Sequence, residues 1–128
     1  MARLAATIVA LALGAGSAAA ADIQAGDKTF NKCRQCHHIG EGATNFYGPV
    51  LNGVVGRKAG TVPGYTYSEA TKTSGIVWTE DALKVYLRQP KATVAGTNMT
   101  FAGLSDPVEI DNVIAFIATF DADGKKKQ

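Results

Sequence analysis

The chain has 128 residues, 46% of them hydrophobic and 19% charged, and a formal net charge of +2 from 13 Lys+Arg against 11 Asp+Glu. That length suits one domain rather than a multidomain enzyme, and that apolar share suits a packed core rather than disorder. So small a charge falls short of the basic stripe that nucleic-acid binding needs, while 14 Gly point to many tight turns.

The N-terminus reads as a secretory signal peptide. Met1-Ala2-Arg3 supplies a positive start, Leu4 to Leu13 an apolar run, and Ala18 to Ala21 small-residue cleavage sites. The run is short and Ala-rich where a membrane anchor needs about 20 strongly apolar residues. Cleavage is expected after Ala20 or Ala21, leaving residues 22–128 as a single domain. That domain keeps 12 cationic against 11 acidic residues, a net +1, and Met99 as its one methionine. Lys125, Lys126 and Lys127 end it without apolar neighbours and are expected to form a solvated, frayed terminus.

Along residues 22–128, Ala25 to Cys33 is expected as a short helix with Phe30 on its apolar face. Asn45 to Thr66 is rich in Gly and Pro, lacks periodicity and reads as ordered loop. Ser68 to Thr73 allows one or two helical turns. Thr79-Glu80-Asp81 carries a helix start, an N-cap followed by first-turn carboxylates. Leu83, Tyr86 and Leu87 then share a face, and Pro90 is expected to stop that helix. In the last helix Asp106 is the N-cap, Pro107 the first helical residue and Glu109 the partner of a capping box. Val113, Ile114, Phe116, Ile117 and Phe120 form its apolar stripe. No segment alternates as a strand, so the expected fold is all-α with long loops. Short helices and Gly-rich loops give a thin core, and small domains of that kind need a further staple.

Cys33-Arg34-Gln35-Cys36-His37 supplies one, a C-x-x-C-H motif of the c-type haem attachment pattern. Cys33 and Cys36 lie one helical turn apart, so both thiols can add to the two vinyl groups on one haem edge. His37 is then carried under the macrocycle, where its imidazole can bind iron. Three other readings stand beside this one. A dithiol redox pair would want βαβ patterning, which is not visible. Zinc needs two more ligands, with only His38 and carboxylates at hand. A structural disulfide would close too small a loop to restrain much chain entropy.

His38 follows His37 directly, cannot reach the opposite haem face and reads as solvent-facing. Met99 sits in the polar, Gly-bounded segment Gly96-Thr97-Asn98-Met99-Thr100-Phe101-Ala102-Gly103 rather than on an apolar helical face, where a packing methionine belongs. It is the candidate sixth ligand of the iron. A soft thioether favours the ferrous state. With His37 and Met99 both bound, no position stays open for substrate, which argues for electron transfer over catalysis.

The chain resembles a class I cytochrome c, of the bacterial type close to mitochondrial cytochrome c. The similarity runs from Gly26 to Phe120. Beyond the haem motif it covers Gly48-Pro49, Gly56-Arg57-Lys58, Pro63-Gly64-Tyr65-Thr66-Tyr67, Ile76-Val77-Trp78, Tyr86-Leu87 through Pro90, and Gly96-Thr97 to Phe101. The resemblance implies short helices and long loops around one covalent haem c, with Cys33 and Cys36 attached and His37 and Met99 as axial ligands. It also implies that the Pro49 carbonyl accepts from His37, that Tyr67 and Trp78 bond a haem propionate, and that Arg57 balances its charge. Tyr86 and Thr97 would lie beside Met99, Tyr86 touching the sulfur, and Phe101 would cover the haem edge. Gly26 and Phe30 would cross the last helix near Val113 and Phe116.

The implied function is that of a periplasmic, monomeric one-electron carrier without enzyme activity. Its partners would be a cytochrome bc-type complex, a terminal oxidase, a reaction centre or a periplasmic reductase. The alternative is a haem protein whose Met99 detaches for peroxidase activity or gas binding. The sequence departs from the mitochondrial pattern at several points. Thr71 stands for an Asn, Ala95 for a Pro that would stiffen the Met99 loop, and Asn98 for a Lys. The basic ring around the haem edge is thinned to Lys28, Lys32, Lys91 and Arg34, and two ionised propionates would bring the holoprotein to about −1.

Overall fold

The structure, a computed structural model, describes residues 20–128, so the expected leader lies outside the described residues up to residue 19. Five helices follow in order: α1 (Ile23–Phe30), α2 (Glu69–Thr73), α3 (Glu80–Arg88), α4 (Pro90–Thr93) and α5 (Pro107–Ala118). Among the described residues there is no β-strand, only the isolated bridges Lys58–Val77 and Phe120–Lys126. The all-α expectation holds.

α1 begins and ends earlier than its apolar pattern suggests. The Asp22 carboxylate accepts from the Ala25 N–H at 3.0 Å, which satisfies a free donor of the first turn and starts the helix at Ile23. After Phe30 the chain tightens into successive turns. Cys33 N donates to Phe30 O at 2.8 Å, Cys36 N to Cys33 O at 3.0 Å and His37 N to Cys33 O at 2.9 Å. The haem motif therefore sits on its own turn beyond α1.

α3 starts as expected, with Thr79 Oγ1 accepting from Ala82 N at 3.1 Å and Glu80 and Asp81 at the positive end of the helix. Its end holds a correction. Pro90 forces the preceding Gln89 out of the helical region, to φ −147° and ψ 78°, but also opens α4 as its first residue. In α5 the Asp106 side chain caps Val108 N at 2.8 Å. Glu109 does not complete a capping box; it pairs with Lys32 at 3.1 Å and ties the segment after α1 to α5.

The core lies between α1, α3 and α5. Ile110, Val113, Ile114, Phe116 and Ile117 are buried on α5, and Phe120 is buried just beyond its end. Each large side chain so buried contributes roughly 1.5–3 kcal/mol. α1 crosses α5 at Gly26, where any Cβ would overlap the Asn112 carbonyl oxygen, so only glycine lets the backbones meet. Phe30 then packs on Phe116 with ring centroids 5.3 Å apart. Cys33, Leu51, Trp78 and Phe101 pack on the same core from the loops, and Leu87 from α3.

The C-terminus is a second correction. Instead of fraying, the chain turns back on α5. Lys127 N donates to Thr119 O at 2.6 Å and Asp121 N to Lys125 O at 2.9 Å, while the Asp121 carboxylate accepts from Asp123 N and Lys125 N. Gly124, at φ 80°, is buried against the Gly40 carbonyl. The lysine side chains stay exposed, but their backbone is held.

Candidate functional site

The turn after α1 presents Cys33 half-buried and Cys36 exposed, one residue before the part-buried His37. Burial pushes the Cys33 thiol up to about 11, against the opposing pull of Arg34 and Lys32. His37 Nδ1 lies 2.8 Å from the Pro49 carbonyl oxygen, so that nitrogen carries the proton and donates, leaving Nε2 as the free lone pair. Burial lowers the imidazole's proton affinity, with the charges of Arg57 and His38 adding to it and the Pro49 hydrogen bond opposing. A neutral, oriented imidazole is the state a metal requires. Gly48 keeps this geometry open. A Cβ there would sit 2.7 Å from His37 Nδ1 and 2.8 Å from Nε2.

A second group forms around Met99. The Tyr86 hydroxyl, carried by α3, donates to Met99 Sδ at 3.2 Å and lies 3.5 Å from Thr97 Oγ1, while Met99 N donates to Thr97 Oγ1 at 3.2 Å. Burial raises the Tyr86 hydroxyl above its usual range, opposed by the Thr97 contact, so it remains a donor at neutral pH. Thr97 N also donates to Val94 O at 3.0 Å, closing the turn through Gly96 although Ala95 occupies the middle of it. Trp78 packs on Tyr86 with centroids 4.7 Å apart, and Phe101 is half-buried against the core.

A third group surrounds Arg57. Its terminal nitrogens donate to Asn52 O at 2.9 Å and Val50 O at 3.2 Å. Its Nε is buried with no hydrogen-bond partner among the described residues. Tyr67 OH accepts from Val62 N at 3.1 Å and so keeps its own proton to give. A buried donor without an acceptor is costly, and a guanidinium held this way asks for an anion.

Three polar side chains to which sequence reasoning assigned no role hold these loops. Asn45 accepts from Val50 N at 2.9 Å and donates to Pro63 O at 3.0 Å, joining the Pro49 loop to the Tyr65–Tyr67 loop. Asn52 donates to Gly40 O and accepts from Gly40 N, at 2.9 and 2.8 Å. Ser68 caps α2 and donates to Thr71 Oγ1 at 3.0 Å. Only the Ser68 cap has a local signature, a Ser followed by a carboxylate before a helical turn. Two expected ring charges are also tied down: Lys32 to Glu109, and Arg34 to Asp27 while lying over Phe30.

A family profile described as cytochrome c matches residues 23–121. The chain belongs to the cytochrome c family. This cytochrome c is 50% identical over 117 residues to the cytochrome c2 of Blastochloris viridis, covering 91% of this chain and 92% of that one. It is 55% identical over 104 residues to the cytochrome c-550 of Bradyrhizobium diazoefficiens, covering 81% and 76%. Its fold matches the structure of cytochrome cH from Methylobacterium extorquens with a TM-score of 0.72, at 45% identity, over 77% of this chain and 98% of that one.

Membership brings one covalently attached haem c and one-electron transport, as expected from the sequence. The residues present fit that group. Two cysteines stand on one turn beside an oriented neutral imidazole, and the orphaned Arg57 Nε awaits an acceptor of propionate chemistry.

Proposed function

We propose that Cys33 and Cys36 of this cytochrome c would hold its haem through thioethers and that His37 and Met99 would bind the iron. When bound, the haem supplies a one-electron Fe(II)/Fe(III) couple. Pro49 fixes the His37 tautomer and orients the ring; Tyr86 and Thr97 hold the Met99 sulfur in place. Arg57, Tyr67 and Trp78 receive the propionate side, and Phe101 covers the edge. Residues 1–21 direct export and are removed, and the protein works in the periplasm as a monomer. There it carries single electrons between a donor such as a cytochrome bc-type complex and an acceptor such as a terminal oxidase, reaction centre or periplasmic reductase. It has no enzyme activity of its own.

The observation that carries this reading is the Pro49–His37 contact at 2.8 Å, which leaves one imidazole nitrogen free on the residue that ends the C-x-x-C-H motif. Visible spectra of the exported protein test it. The ferric form is expected to show the weak far-red band of methionine sulfur on iron, and Met99→Ala is expected to lose it. A c-type spectrum without the band in the native protein would transfer the argument to peroxidase activity or gas binding at an open sixth position.

A further inference from the structure

The haem motif continues into a surface that the electron-carrier reading has not used. His38 stacks on Phe46 with ring centroids 5.0 Å apart and an interplanar angle of 10°. Phe46 in turn packs on Tyr47 at 4.2 Å. The Tyr65 hydroxyl donates to the Tyr47 carbonyl at 2.7 Å, and Tyr65 meets Tyr67 edge-on at 4.7 Å. The turn that carries Phe46 and Tyr47 is fastened beside the attachment residue, since Gly48 N donates to Cys36 O at 2.8 Å.

These rings face water. Phe46 is 50% exposed and Tyr47 74% exposed, and His38 is exposed beside them. Scattered exposed apolar residues are ordinary, but neighbouring aromatics stacked on one another at the surface are the usual composition of an interface core. The rings are not needed to close the turn, because the Phe46–Gly48 and Tyr65–Tyr47 bonds use backbone atoms of residues 46–48.

Charge narrows the occupant. From Cys36 to Val50 the one Lys, Arg, Asp or Glu is Glu41, and from Ala59 to Tyr67 there is none. The cations just before this surface, Lys32 and Arg34, are each paired with a carboxylate, Glu109 and Asp27. An acidic partner face would find little to attract it here. A face with few charges and an apolar centre would be complementary.

We infer that the His38–Phe46–Tyr47 surface docks an electron-transfer protein whose own docking face is apolar and poor in charge. The inference rests on the reading that Cys36 carries the haem. Docking places the partner beside the attachment turn, where a bound haem would supply the one-electron couple that the partner's redox centre exchanges with. Binding by desolvated aromatic area gives a rate that depends on ring area and only weakly on salt.

The test uses the holoprotein and a solubilised cytochrome bc-type complex as reductant, followed by stopped flow. Phe46→Ser/Tyr47→Ser is expected to lower the second-order rate about tenfold, the scale of losing aromatic interface anchors. Phe46→Leu/Tyr47→Phe, which keeps apolar area, should restore most of it. The native rate should change less than about threefold between low and physiological salt. Electron exchange with hexaammineruthenium and the far-red band should be the same in every variant, which separates a lost docking surface from a lost haem ligand. In a 15N spectrum of the holoprotein, residues 46–48 should shift when the complex is added. An unchanged rate in the serine variant would overturn the proposal, as would a steep fall with salt. So would self-association or binding to anionic vesicles abolished by the same substitutions, since either would assign the surface to another occupant.

Discussion

The Tyr86 hydroxyl donates to the Met99 sulfur across 3.2 Å, and its ring packs on Trp78 with centroids 4.7 Å apart. A hydrogen bond to a thioether draws density from the sulfur and disfavours the more highly charged state of a metal it binds. Tyr86→Phe is therefore expected to lower the holoprotein's reduction potential by roughly 40 mV, the one-electron equivalent of a bond worth about 1 kcal/mol. Voltammetry checks the sign. A potential that rises would contradict the donor role.

Gly48 bears on His37, the other proposed ligand. A methyl at this position would press on both nitrogens of the His37 ring, and the obstruction is backbone-held, since Gly48 N is tied to Cys36 O. Gly48→Ala is expected to cost about 1–3 kcal/mol in denaturant unfolding of the holoprotein, the range of an overpacked core position. It should also move the His37-dependent visible spectrum. Gly56→Ala serves as the control. Gly56, unlike Gly48, lies at positive φ (87°), but a Cβ there meets nothing within 4 Å, so its loss is limited to backbone strain and the spectrum stays unchanged.

How much of this was legible in the sequence follows from how local each signal is. α3 and α5 announce themselves because Thr79 and Asp106 are caps followed by an apolar stripe, all within a dozen residues. α4 does not, because Pro90 is both the reason α3 ends and the first residue of the next helix, and the stop signal hides the start. The C-x-x-C-H motif is local and was readable at once. The bonds from Asn45 to Pro63 and from Asn52 to Gly40 were not. They join aperiodic loops across 18 and 12 positions, and an Asn in a loop gives no hint of a distant partner. The same limit hid the pairing of Lys32 with Glu109, 77 positions away, and so made the basic ring look larger than it is.

The Tyr65 hydroxyl is expected to add to the loss of stability at alkaline pH. Burial raises its proton affinity above that of a free tyrosine, with Tyr67 adding to the effect, and the neutral form donates to Tyr47 O at 2.7 Å. Below pH 10 both folded and unfolded states keep this proton. Above it the unfolded chain ionises first, the folded state binds more protons, and stability falls as pH rises through the folded value. Tyr65→Phe is expected to cost up to about 1 kcal/mol at pH 7. The variant should then lose less stability than the native protein between pH 9.5 and 11.5, in guanidinium titrations at each pH. Parallel curves would show that Tyr65 does not contribute to the alkaline loss.

The C-terminal turn distinguishes a held tail from a frayed one. Residues 124–128 contribute the Lys127–Thr119 and Asp121–Lys125 backbone bonds and the seat of Gly124 against Gly40 and Asn52. Asn52 in turn clamps the Gly40 backbone and accepts from Arg57 through its own carbonyl. Removing these residues uncovers one side of that junction without touching the haem motif or Met99. Truncation after Asp123 is therefore expected to lower holoprotein stability by about 1–3 kcal/mol, from several partly exposed hydrogen bonds and one lost packing contact. The visible spectrum should not change. Lys126→Ser, which keeps every backbone bond and removes only an ammonium 5.9 Å from the Phe120 ring, should cost no more than about 0.5 kcal/mol. If the truncated protein unfolds at the same denaturant concentration as the full chain, the tail carries no stability in solution. The lysine-rich end would then be the solvated terminus that its composition suggests.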